Sequence, residues 1–263
     1  MNVTPEDLKM NILHPEQEKV APTPTCGASI KDVELEFGIP IPGRVVPGDR
    51  WTKTGYRDNG KPYVWTRESR RIVDLGCGNG RYLIGSAVAR PECDHLGIDL
   101  VQVAIDFGAH RANKRGLSNI RFVTADAVKW IYERLTPDSI DELHIYHPQP
   151  YYGPDAGTKR MLTAEFLDRA WLVLRAEGLL VVQTDNKAYW KYLCGAVAKN
   201  FEGQHVTGPW PDAPMGRTRR EILARQKGLA IWRMEARRRA VPKAVNVPRP
   251  DFDANRPKFK KRK

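Results

Sequence analysis

Short apolar runs alternate with longer helical stretches from Arg70 onwards, and this alternation constrains the fold more than any other feature of the sequence. Strands that alternate with helices form βαβ units, which build a mainly parallel sheet with helices on both faces. A polar helical stretch follows Pro214, and residues 230–239 partly alternate, as a last edge strand would. We predict strands at 70–76, 94–100, 119–126, 139–147 and 177–185, and helices near 80–90, 101–114, 127–135, 159–175 and 186–200.

Two segments of different composition flank this region, so we predict a domain at 67–240. Residues 1–66 are rich in Pro and Gly and hold no persistent period, which predicts an irregular N-terminal extension with short strands at most. Residues 241–263 form a basic, disordered tail in this prediction. Four aromatic residues of the extension lie among basic ones; they could stack on bases, but packing onto the domain is favoured. These are Trp51, Tyr56, Tyr63 and Trp65.

The composition excludes several protein classes. No run approaches the ~20 apolar residues of a transmembrane helix, and the polar N-terminus lacks the apolar region of a secretory signal. The four cysteines form no Cys-x-x-Cys pair and have no ligand-like spacing to histidine, which argues against a metal site or a disulfide framework. We therefore expect a cytoplasmic protein without a metal or a membrane partner.

The charge is concentrated at one end of the chain. The formal net charge is +12, and the segment from Arg237 to Lys263 alone holds eleven basic residues and two acids. A basic end on a nearly balanced body suggests a polyanionic partner such as nucleic acid. The alternative is a disordered tail that serves only solubility.

A glycine-rich loop follows the first predicted strand and has the spacing G-x-G-x-G, directly after an acid. Glycines let the backbone turn sharply and approach a ligand that a Cβ would exclude. The spacing differs from the G-x-G-x-x-G of dinucleotide binders and resembles the first motif of S-adenosylmethionine-dependent methyltransferases. An ordinary turn between strand and helix is the alternative. The candidate residues are Asp74, Gly76, Gly78 and Gly80.

Two further acids end the next two strands. Asp99 could accept hydrogen bonds from ribose hydroxyls, and Asp126, beside the backbone of Ala127, could meet the adenine amino group. Ligands bind at the carboxyl ends of strands in open α/β sheets, which is where both acids fall. A single acid in such a place is often only a helix N-cap, but three acids in register with a glycine loop favour cofactor binding.

The downstream segments carry a more specific pattern. A Pro-x-Pro loop (His147–Tyr152) ends the fourth strand, Thr184-Asp185 ends the fifth, and Thr218-x-x-Glu221 precedes the last. In order and spacing, residues 70–235 resemble the bacterial tRNA (guanine-N7)-methyltransferases, whose loop reads Phe-Pro-Asp-Pro-Trp. The resemblance implies the Rossmann-like class I methyltransferase fold, S-adenosylmethionine as cofactor, and methylation of guanine N7 in tRNA, at the variable-loop guanine.

The resemblance also assigns roles to residues on the side of the methyl acceptor. It implies catalytic roles for Gln149, Asp185 and Glu221. It implies substrate binding by Tyr151, Lys159, Arg160, Asp185, Thr218 and Glu221.

This chain departs from the family pattern in four places. Gln149 replaces the loop acid that is considered catalytic, and Tyr151 replaces its tryptophan. The basic residues that follow in the family are replaced at 153–157, which leaves Lys159 and Arg160, and Ala224 stands where a glycine is expected. These departures bear on the identity of the substrate rather than on the fold.

The chemistry of guanine N7 lessens the consequence of losing the acid. N7 carries a lone pair and no proton, so its methylation needs no general base; the site must align the reacting atoms and accept a cationic product. Asp185, Thr218 and Glu221 are the best placed by motif, and Gln149 either orients the base or has no role. Tyr151 either stacks on a flipped base or packs under its own loop, and His147 is interpreted as a structural hydrogen-bonding residue.

Two other functions remain open from the sequence. A small-molecule methyltransferase is one, although the basic tail and the T-x-x-E motif argue against it. A non-catalytic RNA-binding relative is the other, favoured by Gln149 and by the lost basic residues. The intact glycine loop and its acids argue against the second, because a protein that only binds RNA does not need a cofactor pocket.

Overall fold

The computed structural model describes residues 35–36, 39–151 and 159–240. The chain divides into two compact units, Met1–Pro40 and Ile41–Lys263. In the first unit, β1 (Leu35–Glu36) and β2 (Ile39–Pro40) pair as an antiparallel two-stranded sheet. The predicted tail at 241–263 lies outside the described residues, and so do Tyr152 of the Pro-x-Pro loop and residues 153–158.

The second unit contains eight strands and six α-helices within its described residues. A short 3-10 turn at Gly48–Arg50 precedes them. In chain order they are β3 (Gly55–Arg57), β4 (Arg71–Leu75), α1 (Arg81–Ala89), β5 (Asp94–Asp99), α2 (Gln102–Lys114), β6 (Ile120–Thr124), α3 (Ala127–Arg134), β7 (Ile140–Tyr146), α4 (Ala164–Val173), β8 (Leu174–Thr184), α5 (Lys187–Val197), β9 (Phe201–His205), α6 (Arg219–Gln226) and β10 (Trp232–Arg238).

The eight strands form one sheet in the order β3-β6-β5-β4-β7-β8-β10-β9. Neighbours from β3 to β8 pair in parallel, whereas β10 pairs antiparallel with both β8 and β9. The predicted Rossmann-like class I architecture, a mainly parallel sheet with helices on both faces, is therefore confirmed, and so are the five central strands.

The prediction of an edge strand at 230–239 is wrong in its position, because β10 lies between β8 and β9. The edge strand is β9, which the sequence does not reveal. Only Phe201 of β9 is buried, and its other four residues are exposed. Its sequence therefore lacks the apolar alternation by which a strand is recognised.

At the other edge, β3 lies within the segment predicted as an irregular extension and pairs with β6. The helix predicted at 159–175 begins only at Ala164. Thr163 caps α4 because its side chain accepts a hydrogen bond from the backbone N–H of Phe166. β8 then starts at Leu174, directly after α4 and earlier than predicted.

The core is divided between the two faces of the sheet. Successive strand residues point to opposite faces, so Ile72 belongs to one apolar cluster while Val73 and Leu75 belong to the other. The first cluster includes residues of α1 and α2, such as Leu83 and Ile105, and the second includes residues of α3, α4 and α5. Both faces are therefore covered, and the carboxyl edge of the parallel strands is available for a site.

Candidate active site

The switch in strand order lies between β4 and β7, since the chain runs from β4 to β5 and β6 on one side and returns to β7 on the other. Ligands of open α/β sheets bind in the crevice outside the carboxyl ends of the strands at such a point. The glycine loop follows β4, and the Pro-x-Pro loop follows β7. The two predicted halves of the site therefore begin on adjacent strands.

The glycine loop is held by backbone hydrogen bonds to β5. The N–H groups of Gly76 and Cys77 donate to the carbonyl of Ile98 at 2.8 and 3.1 Å, and the N–H of Gly78 donates to Asp99 Oδ2 at 2.8 Å. Asp99 therefore fixes the loop as well as lying beside it.

The glycines of this loop serve two purposes. A Cβ on Gly80 would clash with the ring of Phe122, so Gly80 is required by packing where α1 begins. A Cβ on Gly76 or Gly78 would meet no protein atom within 4 Å. The backbone at Gly78 has a φ of 54°, in the left-handed region. The loop thus borders open space that a ligand can fill.

Asp74 is buried beneath this loop, and its carboxyl group is neither fully hydrogen-bonded nor fully offset by a nearby positive charge. Among the described residues, its Oδ1 atom has no hydrogen-bond partner. Burial, together with the nearby carboxyl of Asp99, raises the pKa of Asp74 well above its usual range, and the guanidinium of Arg217 opposes this only in part. A buried acceptor without a donor costs free energy, so a ligand that brings a donor or a positive charge would be favoured here.

Asp126 and Ala127 begin α3 on the same edge. Both backbone N–H groups of Val128 and Lys129 donate to Asp126 Oδ1 at 3.0 Å, so the carboxylate is the helix N-cap. Asp126 is thus a helix N-cap, which is the alternative that the sequence analysis left open for such an acid. Because both bonds use one oxygen, capping does not by itself exclude a contact between Oδ2 and a ligand. Ala127 is buried as the first residue of the helix.

On the acceptor side, the structure brings Asp185 together with His147. Asp185 Oδ1 lies 3.2 Å from His147 Nδ1, and Arg220 approaches Asp185 Oδ2 with Nε and Nη2, both at 3.0 Å. Burial would raise the pKa of Asp185, but the hydrogen bond from His147 and the Arg220 guanidinium lower it to about 2. The carboxylate is ionised at neutral pH.

The Pro-x-Pro loop is bracketed by two strained residues, His147 with a φ of 50° and Tyr151 with a φ of 42°. Non-glycine residues with such backbone angles cluster at functional sites. Between them Gln149 is exposed, and Tyr151 is 39% exposed. Both side chains are therefore accessible to a substrate.

Arg160 holds this loop from the other side. Its Nε donates to the carbonyl of Pro150 at 3.0 Å, and its guanidinium lies 5.2 Å from the ring centroids of Tyr189 and Tyr192. Lys159 is exposed next to it. Of the two basic residues predicted to bind substrate, Arg160 thus has a structural role in shaping the loop, while Lys159 remains accessible.

Thr218 and Glu221 lie at the start of α6, where Thr218 caps the helix by accepting from the N–H of Glu221. The side chain of Glu221 is completely buried. It forms an ion pair with Arg233 at 2.6 Å and accepts from the backbone N–H of Arg217 at 2.9 Å. The structure therefore separates Glu221 from solvent, unlike Asp185, and a contact with substrate would require these partners to move.

The profile of one protein family, described as "Putative methyltransferase", matches residues 68–234. The chain belongs to this family.

Curated relatives support the same conclusion. The tRNA (guanine-N(7)-)-methyltransferase of Nitrosococcus oceani is 26% identical and the alignment covers 66% of this chain and 74% of that protein. The enzyme of the same name from Halorhodospira halophila is 27% identical over 63% and 72%. That of Legionella pneumophila is 25% identical over 77% and 85%. The resemblance found in the sequence is thus confirmed.

A cluster of side chains around Arg217 in this methyltransferase could not be predicted from the sequence. Arg217 forms a bidentate contact with Asp212 at 2.7 to 3.1 Å and donates to the Tyr146 hydroxyl at 2.9 Å. Its guanidinium lies 3.9 Å from the ring centroid of Trp210. These residues bring the loop before α6 against the carboxyl end of β7. The only sequence signal is a tryptophan next to a proline, which indicates a packed loop but not its partners.

Two negative observations apply to the described residues. No group of three or more His, Cys, Asp or Glu side chains there is arranged to hold a metal ion. Within the same residues, every helix is too short or too polar to cross a bilayer.

The depressed pKa of Asp185 predicts a pH-dependent contribution to stability. The pKa is about 2 in the folded enzyme against an ordinary value of 3.8, so the stabilisation is complete above pH 4 and is lost as the pH falls towards 2. One pKa unit corresponds to about 1.4 kcal/mol, which gives about 2 kcal/mol in total. Urea unfolding of the wild type and of Asp185→Asn should differ by this amount at pH 6 and converge near pH 2.

Asp106→Asn is the matched control, because Asp106 is exposed on α2 and accepts a hydrogen bond from Gln102, its one hydrogen-bond partner among the described residues. Its difference from the wild type should stay small at every pH. A gap between wild type and Asp185→Asn that did not change with pH would show that Asp185 is not held as an ion by His147 and Arg220.

Proposed function

We propose that this methyltransferase transfers a methyl group from S-adenosylmethionine to guanine N7 in tRNA, with the variable-loop guanine as the acceptor. The proposal rests above all on one observation: curated relatives with this activity align with 63–77% of this chain, and the family profile covers residues 68–234, which carry both halves of the site. The glycine loop after β4 and the Asp185–His147 pair beyond β7 and β8 support it by sharing one edge of the sheet.

The residues of the glycine loop fit the cofactor. Asp74 offers a buried acceptor without a donor, and the open space beside Gly76 and Gly78 accepts atoms that a Cβ would displace. When bound, S-adenosylmethionine supplies an electrophilic methyl group on a positively charged sulfur. The residues proposed to hold it are Asp74, Gly76, Gly78, Gly80, Asp99, Asp126 and Ala127.

The acceptor residues act by position and charge. Guanine N7 needs no proton removed, so the task of the protein is to align the base and to offset the positive charge that develops on the ring. Asp185 is ionised and directly follows β8, and the neutral amide of Gln149 is exposed on the loop that follows the neighbouring strand β7. The residues proposed for this side are Gln149 and Asp185 for the reaction, with Tyr151, Lys159, Arg160 and Thr218 for substrate binding. Glu221, to which the sequence assigns both roles, would reach the substrate only after leaving Arg233 and the Arg217 N–H.

The decisive experiment compares tRNA transcripts that differ at one atom or one base. The purified full chain, S-adenosylmethionine and an unmodified transcript should yield 7-methylguanosine, detected by mass spectrometry of the digested RNA. A transcript with 7-deazaguanosine, which lacks N7, and a transcript with adenosine at the variable-loop guanine should both remain unmethylated. Methylation of the 7-deaza transcript would identify another atom, and methylation after the adenosine replacement would identify another nucleotide.

The basic tail is proposed to contribute affinity for tRNA rather than chemistry. Residues 241–263 hold eight basic residues and two acids. Each phosphate contact changes the slope of log K against log salt by about 0.7 to 0.9, so deleting the tail should weaken binding and flatten that slope. Single-turnover methylation at saturating tRNA should be nearly unchanged.

We also propose that the enzyme acts in the cytoplasm, where its substrate is found.

A full-length variant with the eight basic residues replaced by glutamine separates charge from length. It should match the deletion in affinity and salt slope if the tail acts through phosphates. Binding with the wild-type slope in both variants would assign the tail to solubility alone.

A further inference from the structure

Gln183 of β8 connects the parts of the acceptor side and has no role assigned by any sequence motif. Its side chain is completely buried. Its Oε1 accepts from Trp210 Nε1, and its Nε2 donates to Glu221 Oε2 at 3.1 Å and to His147 Nε2 at 2.7 Å. One amide therefore contacts the loop before α6, helix α6 and the Pro-x-Pro loop.

The chemistry of two of these partners fixes the orientation of the amide. The indole N–H of Trp210 can only donate, and an ionised carboxylate such as Glu221 can only accept. Glu221 Oε1 forms an ion pair with Arg233 Nη2 at 2.6 Å. Turning the amide by 180° would set its NH₂ group against the indole N–H and its oxygen against the carboxylate. Gln183 must therefore present hydrogen atoms to His147.

The tautomer of His147 follows from this orientation. Its Nε2 has to accept the hydrogen bond from Gln183, so the proton of the neutral ring is on Nδ1. That proton points at Asp185 Oδ1, 3.2 Å away. The other tautomer would lose both hydrogen bonds and leave two donors facing each other at Nε2.

The surrounding strands hold Gln183 rigidly. Gln183 is paired with Tyr146 on β7 and with Arg233 on β10, so it lies between two hydrogen-bonded neighbours near the carboxyl edge of the sheet. The side chain of His147 is only 4% exposed, and that of Asp185 is 11% exposed. The hydrogen bonds thus connect the buried ion pair Glu221–Arg233, through Gln183 and His147, to the Asp185 carboxylate of the proposed base site.

We propose that Gln183 is a positioning residue that holds His147 as the Nδ1–H tautomer and, through it, orients the Asp185 carboxylate towards the guanine. This inference rests on the proposed function only for its kinetic consequence. The loop pattern that this chain resembles, Phe-Pro-Asp-Pro-Trp, has phenylalanine where His147 stands and an acid where Gln149 stands, so both residues depart from that pattern. With the loop acid absent, the orientation of the remaining carboxylate determines how well the developing charge is offset.

The first test is spectroscopic and needs no substrate. Long-range ¹H–¹⁵N spectra of the full chain with ¹⁵N-labelled histidine distinguish protonated from unprotonated ring nitrogens. The His147 signals, assigned by their loss in His147→Asn, should show a proton on Nδ1 and none on Nε2. In Gln183→Met, which keeps the length of the side chain but removes its hydrogen bonds, we expect a mixture of tautomers.

The second test is kinetic. Gln183→Met should lower the single-turnover methylation rate by about tenfold to a hundredfold, the range for removing an outer hydrogen-bond partner that orients a site residue. Its KM for tRNA should remain within about twofold of the wild type, because binding of the RNA is distributed over many phosphate contacts. Trp210→Phe, which keeps an aromatic side chain but removes the indole N–H that donates to Gln183, should have a smaller effect in the same direction.

Asn119→Leu controls for the loss of a buried amide. Asn119 lies just before β6, at the amino edge of the sheet, and donates to the carbonyls of Ala87, Arg90 and Cys93. This variant should lower stability while keeping the His147 tautomer and the rate of the folded enzyme. A wild-type His147 protonated on Nε2, or a Gln183→Met variant with an unchanged tautomer and rate, would overturn the proposal. If the wild type methylates no tRNA, the proposed function fails, and the tautomer experiment still decides the role of Gln183.

Discussion

A Gly78→Val variant is expected to lose measurable binding of S-adenosylmethionine while remaining folded. A Cβ at this position meets no protein atom within 4 Å, so the larger side chain does not clash with the protein itself. It enters the space beside the Asp99 carboxyl, to which the Gly78 N–H donates at 2.8 Å. Isothermal titration calorimetry with the cofactor measures the loss, and circular dichroism checks the fold.

Backbone strain must be separated from this effect, because Gly78 has a φ of 54° and a branched residue in that region costs about 1–3 kcal/mol. Gly228, the second residue after α6, offers a matched control with a φ of 69° and no protein atom within 4 Å of an added Cβ. Gly228→Val should carry the same strain and bind the cofactor normally. Equal losses in both variants would attribute the result to strain, and normal binding by Gly78→Val would remove the cofactor from this loop.

Glu221→Ala is expected to destabilise the fold by about 3–5 kcal/mol, the usual cost of leaving one member of a buried ion pair without its partner. Arg233 is 6% exposed and Glu221 is not exposed at all, so water cannot replace the lost carboxylate. The backbone N–H of Arg217 and the Gln183 amide lose an acceptor at the same time. Urea unfolding at neutral pH measures the change in the free energy of unfolding.

Glu202→Ala is the matched control for removing a carboxylate from an arginine pair. Glu202 on β9 is 68% exposed and pairs with Arg239 at 2.8 Å, so its loss should cost no more than about 1 kcal/mol. The double variant Glu221→Met with Arg233→Met should recover much of the stability lost by Glu221→Ala, because it removes the unpaired charge. A small effect of Glu221→Ala alone would mean that the ion pair is accessible to water, as a direct contact with substrate requires.

The parts of the fold that the sequence predicts are those with strong local patterns. β4 to β8 are apolar runs bounded by turn residues, and the helices between them have caps such as Asp126 that can be read in the chain. β9 could not be predicted because Phe201 alone among its five residues is buried, so the strand has no apolar alternation. The place of β10 inside the sheet is a property of strand order, which local pattern does not encode.

The candidate site divides in the same way. Asp74, Asp99 and Asp185 are recognisable because each follows or ends a predicted strand, and strand ends of a parallel sheet meet at one edge. The residues around them that decide protonation and orientation are not recognisable. Gln183 lies 27 positions from Trp210, 36 from His147 and 38 from Glu221 along the chain. Contacts between such distant side chains depend on the packed fold and have no signature in spacing.

The internal position of β10 has a consequence for synthesis on the ribosome. Among the described strands, β10 is the last to be made, yet it is the one with which β9 pairs and the second neighbour of β8. Arg238, the last residue of β10, follows Thr184, the last residue of β8, by 54 residues. At about 5–20 residues per second, β8 therefore waits roughly 3 to 11 s with an open edge. Unpaired edges are templates for association with other chains. Nascent chains that stall between these two residues should aggregate, whereas chains released after Arg238 should not.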